Sequence, residues 1–259
     1  MRPMDGIELG ARFSLATSRL QYCGPDGADR TLDRAIGEPS ARPAARAALE
    51  RFEALMPYLE TIAGAHGLDP FDRRVTEAYW IGNELLDGLG RPEFRTLLET
   101  LRRRGLPRST AERLLAHLPR EPLLHHLFHV AFVGVGNVTG HVPTTLANME
   151  ACRPGWGRVT EVDPTRMLLL APTLVRDGSR LGWGTERSVL LPRDPGRFPE
   201  LTVGAPVAFH WGMAALRLSA RQHRLLAGYS ARALAAANEA LPLLGVFDGD
   251  PGLPADRPG

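Results

Sequence analysis

A chain of 259 residues, 44% hydrophobic and 23% charged, can bury a sizeable core, which excludes a wholly disordered protein. The formal charge is +2, every one of the 31 basic side chains is Arg, and Arg102-Arg103-Arg104 is the one basic run, so nothing in the charge pattern points to nucleic acid. The two cysteines make no disulfide scaffold, Met1-Arg2-Pro3-Met4-Asp5-Gly6 leads into no apolar signal segment, and no run approaches the roughly 18 to 20 apolar residues of a membrane span, so the chain reads as cytoplasmic.

The first half carries helical spacing. Leu49, Phe52, Leu55, Met56, Leu59, Ile62 and Ala63 recur at intervals of three and four, which predicts one amphipathic helix over about 42–65, with Gly64 and Gly67 as stops. Asp69-Pro70 opens a second, with Val75, Ala78, Tyr79, Leu85 and Leu86 on one face. Phe94, Leu97, Leu98 and Leu101 predict a third, and Leu114, Leu115 and Leu118 a fourth.

After about residue 150 short β-favouring runs replace this spacing. Strands are expected at Val159 to Val162, Met167 to Val175, Arg187 to Leu191 and Val207 to Trp211, with tight turns at Asp163-Pro164 and Asp177-Gly178. Strands this short and closely spaced suggest a small barrel. Ser219 and Gln222 have the spacing of a capping box, so a closing helix runs to about Leu244. The last residues, rich in Pro, Gly and Asp, read as a disordered tail. The expected architecture is α+β: a mostly helical domain over 1–147, a barrel plus helix over 148–246, and a tail over 247–259.

Two segments of the second half carry the most specific signal. They are Cys152-Arg153-Pro154-Gly155-Trp156-Gly157-Arg158-Val159 and Val203-Gly204-Ala205-Pro206-Val207-Ala208-Phe209-His210-Trp211-Gly212-Met213-Ala214, the latter followed by a helix. Together they resemble the HypC/HupF nickel-iron hydrogenase-maturation chaperones, a family with an OB-type barrel. Cys152 matches the family cysteine, Trp156-Gly157 its Pro-Gly, and His210 its histidine; the family cysteine follows the initiator Met, whereas Cys152 is internal. The resemblance implies a carrier of iron, as a cyanide and carbonyl complex, with Cys152 and His210 as cofactor-binding and metal-binding residues. It also implies the hydrogenase large subunit or maturation proteins as partners. A soft thiolate beside an imidazole suits low-spin iron or another transition metal. The N-terminal half, through Arg12-Phe13, Tyr22-Cys23-Gly24-Pro25, Glu77-Ala78-Tyr79-Trp80-Ile81-Gly82-Asn83 and Leu124-His125-His126-Leu127-Phe128-His129, resembles an uncharacterised, mainly actinobacterial family whose members often accompany hydrogenase genes.

The last of those segments offers a second reading. On a helix, His125 and His129 lie one turn apart on one face, a spacing that chelates a metal or supplies a haem ligand, with Cys23, Glu77, Glu84 and His141 as further ligands. Such a site makes the protein a metal- or haem-binding enzyme; the bland alternative is a structural interaction module without metal. No phosphate-binding loop exists in a chain without Lys, and Gly134-Val135-Gly136-Asn137-Val138-Thr139-Gly140 lacks the spacing of a dinucleotide site. The available nucleophiles are the two cysteines, with His as the base.

Overall fold

The computed structural model describes residues 4–247. Residues 1–3 and 248–259, with most of the expected tail and the start of the segment read as having no leader, lie outside that range. The helical half contains α1 (Gly6–Arg19), α2 (Ala28–Ala35), α3 (Arg42–Leu49), α4 (Leu55–His66), α5 (Arg73–Trp80), α6 (Arg91–Arg103) and α7 (Arg108–Ala116). A short helical turn, α8 (His126–Phe128), runs into a π-helical turn over His129–Gly134. Then come α9 (Leu146–Cys152), strands β1 (Gly155–Val162), β2 (Arg166–Asp177), β3 (Arg180–Pro192), β4 (Pro206–His210) and β5 (Met213–Arg217), and the closing helix α10 (Ala220–Leu244).

Two of the expected helices are interrupted, each for a local reason. The helix expected over about 42–65 breaks at Glu50–Ala54 into α3 and α4, and the Arg104 guanidinium takes the freed carbonyls of Glu50 and Phe52 at 3.1 and 3.2 Å. The next helix stops at Trp80 because Gly82 adopts φ +93, and the amides of Ile81 and Gly82 both turn back to the Glu77 carbonyl. A Cβ at Gly82 would lie 2.3 Å from the Tyr229 ring, so this turn also lets α10 approach closely. Leu85 and Leu86 therefore fall in a separate 3-10 turn over Glu84–Leu86.

The strands form one open antiparallel sheet in the order β3-β2-β1-β4-β5, rather than the barrel expected from their spacing. Two long strands account for the difference: β2 and β3 form a hairpin of 12 and 13 residues, and β3 and β5 are left as the two edges. Alternation along each strand divides the side chains between two cores. Val159, Met167, Leu169, Val207 and Phe209 pack with Phe198 and Leu201 on one face; Trp156 and Ala208, of opposite parity, join the helices. A bulge between Pro172 and Leu174 switches β2 from the first face to the second, so Leu174 joins the helical core. That core also holds α10, whose start carries the expected capping box between Ser219 and Gln222. One continuous apolar core thus runs from α1 to α10 across residue 147. Among the described residues no helix is long and apolar enough to cross a membrane.

Candidate metal centre

His210 is the last residue of β4 and shares the parity of Ala208, so the pleat turns it toward the helices, where it is 2% exposed. Its Nδ1 lies 2.7 Å from the Phe13 carbonyl of α1. A carbonyl only accepts, so Nδ1 carries the proton and Nε2 presents its lone pair; that Nε2 is buried with no partner. Burial holds the imidazole down to about 4, opposed first by the Phe13 carbonyl at Nδ1 and then by the nearby Cys152 backbone, both of which favour the protonated ring.

Cys152 closes α9, which Thr145 caps by accepting the Asn148 amide at 3.2 Å. Two contacts fix the end of this helix on the sheet. The fully buried Arg153 guanidinium pairs with Glu150 at 2.7 Å, donates to the Pro172 carbonyl, and packs on the rings of Trp156 and Trp183 at 5.4 and 5.1 Å. Glu150 in turn accepts the Leu174 amide at 2.7 Å, so the pair satisfies backbone groups that the β2 bulge leaves open. Beyond β4, Trp211 sits at φ +48 and donates its main-chain N–H to Ala151 at 2.8 Å, which ties the residue after His210 to the residue before Cys152. Burial pushes the Cys152 thiol far above its ordinary range, with Cys23 adding to the rise; the Trp211 indole N–H lies on the thiol's side and opposes it.

The third member is His126. Its Nδ1 is 2.7 Å from the Tyr79 hydroxyl, and its Nε2 is 2.9 Å from the Cys152 carbonyl and 3.7 Å from the Cys152 sulfur. Burial first, then the neighbouring His210, holds it well below the ordinary imidazole value. One ligand atom from each of His126, Cys152 and His210 lies within 4.8 Å of the other two. Tetrahedral coordination with bonds of about 2.0 to 2.3 Å spaces ligands by about 3.5 Å, so the His126–Cys152 separation already fits and a small contraction closes the set. Each imidazole has a partner at Nδ1, Tyr79 or the Phe13 carbonyl, the outer-shell arrangement that orients a metal-binding histidine. Three protein ligands leave a fourth position open.

The structure thus brings Cys152 and His210 together and adds His126, while His125, His129 and Cys23 stand outside the set. His125 is not helical: at φ −112 and ψ 145 it is the N-cap of α8, and its Nδ1 accepts the Leu127 amide at 3.2 Å. The helical face that would join His125 to His129 therefore does not form. Burial holds His125 at about 3 and His129 at about 4, and His129 Nδ1 faces the Tyr58 hydroxyl at 3.2 Å. Cys23 is half-buried, its thiol raised to about 12 by burial and by Glu53. Glu77 accepts from Gln222 at 2.6 Å, Glu84 pairs with Arg221 at 3.1 Å, and His141 is exposed.

Sequence reasoning passed over His126 because which histidine of Leu124-His125-His126 enters the seam depends on where the turn begins. No local pattern in the sequence separates the two adjacent histidines. The model of a family of unknown function, DUF6390, matches residues 2–243, a single family across both halves. No curated protein and no solved structure matches the chain.

Proposed function

We propose a function for a chain that belongs to the DUF6390 family: it binds one transition-metal ion through His126 Nε2, Cys152 Sγ and His210 Nε2. The observation that carries this reading is a buried, unpartnered His210 lone pair facing a thiol and a second imidazole. A sulfur and two nitrogens in an aromatic enclosure suit iron, zinc or cobalt in the divalent state and disfavour magnesium or calcium. Loading moves the His126 proton to Nδ1, where Tyr79 accepts it, and expels the Cys152 proton.

The finer reading makes this protein an accessory factor of nickel-iron hydrogenase assembly, with iron as the metal and the hydrogenase large subunit or maturation proteins as partners. Its support is that Cys152 and His210, the two residues matched to HypC/HupF chaperones, meet at one site. The test is metal analysis of protein purified without oxygen from a host expressing its hydrogenase genes. One ion per chain is expected, lost in Cys152→Ala and His210→Ala. An empty wild-type protein that also rejects Co(II) in titration sinks the metal site. A loaded site in a strain whose hydrogenase matures fully after deletion of this gene sinks the assembly role alone.

A further inference from the structure

The hairpin of β4 and β5 turns at Trp211-Gly212: His210 pairs with Met213, and the two residues between them take φ +48 and +71. A two-residue turn with both central φ values positive favours Asn-Gly, Asp-Gly or Gly-Gly, because a bulky side chain is strained in the left-handed region. Gly212 obeys that preference and Trp211 defies it. A residue held in so unfavourable a conformation points to a use for its side chain.

Three contacts fix where that side chain lies. The Trp211 main-chain N–H donates to the Ala151 carbonyl at 2.8 Å, which ties the turn to the end of α9 one residue before Cys152. Its ring packs on Tyr22 at 4.8 Å between centroids, with the planes tilted by 60°. Its indole N–H is buried, meets no oxygen or nitrogen acceptor among the described residues, and donates to the Cys152 sulfur.

We infer that Trp211 is a positioning residue of the metal centre, held in its strained turn so that the indole N–H hydrogen-bonds the metal-bound Cys152 thiolate. This deepens the metal-binding reading above and rests on it. A thiol is a weak acceptor and a thiolate a strong one, so the bond strengthens as the ion displaces the proton and favours the loaded state. It also draws charge from the sulfur lone pairs and lowers the orbital that donates to the metal. The end of one strand thus supplies a ligand, His210, and in the next residue the group that tunes another ligand, Cys152.

The test uses full-length protein loaded with Co(II), read through the thiolate-to-cobalt charge-transfer band. Trp211→Phe keeps a ring for Tyr22 and removes the N–H; Trp211→Gly removes the side chain and relieves the turn, so it replaces the first variant should that one not fold. The band should move to lower energy, because the sulfur orbital rises without its donor, and the Co(II) Kd at fixed pH should rise about 10-fold. A band at the wild-type energy in the folded variant overturns the inference even if the Kd rises, since the indole then only packs. An unchanged Kd overturns it as well. Wild-type protein that binds cobalt without a charge-transfer band also overturns it, for the sulfur is then no ligand. Wild-type protein that binds no cobalt sinks the metal-site reading itself, and the inference with it.

Discussion

At the scale of single residues, metal binding at the candidate centre depends on where protons sit. Burial lowers both imidazoles below their ordinary value, His210 to about 4, so both are neutral at neutral pH, and the same burial raises the thiol, which is protonated there. An ion entering at neutral pH therefore displaces one proton, from Cys152. Affinity should rise about tenfold per pH unit between pH 6 and 8, measured by competition with a chromophoric chelator. A pH-independent Kd would mean that the sulfur is not a ligand. Tyr79→Phe removes the group that receives His126 Nδ1–H in the loaded state. It should weaken metal binding 10- to 100-fold while leaving the circular dichroism spectrum intact. Cys152 and His210 were legible because each belongs to a patterned segment. His126 was not, since two adjacent histidines are chemically identical until the chain turns between them.

At the scale of elements, α9 is held to the sheet by Arg153, which a sequence pattern reads only as a charged residue beside a cysteine. It is fully buried because the β2 bulge exposes a carbonyl and an amide that it and Glu150 fill. Removing one partner of such a pair is costly, so Arg153→Met should lower unfolding free energy by about 3 kcal/mol in urea titration. A loss under 1 kcal/mol would show that the pair merely fills space. The capping box of α10 was legible because it is local, spanning Ser219 to Gln222. The short strand β5 was not, because it exists only through the Trp211-Gly212 turn, where both residues take positive φ. The open sheet escaped the reading too, for strand length and edge pairing are properties of partners rather than of any one segment.

At the scale of the whole molecule, His125, His126, His129 and His210 are all buried between the helices and the sheet. Their folded pKa values lie below the ordinary 6.5, near 3 to 4 where a value is given. The unfolded chain therefore takes up protons first as pH falls. Stability is full above about pH 6.5 and declines below it, by up to about 1.4 kcal/mol per pH unit for each histidine, until the folded values are reached. Thermal melts at pH 7.5, 6 and 5 should show the midpoint falling with increasing steepness; a flat profile down to pH 5 would contradict the burial of these rings. The three ligands also come from elements distant in the chain, α8, α9 and β4. An ion bound to all three acts as a cross-link: it cannot escape through a single side chain's rotation, only when helices and sheet part. Its residence time is then set by how often that seam opens, and whatever pries the seam apart, rather than any competing chelator, governs its release.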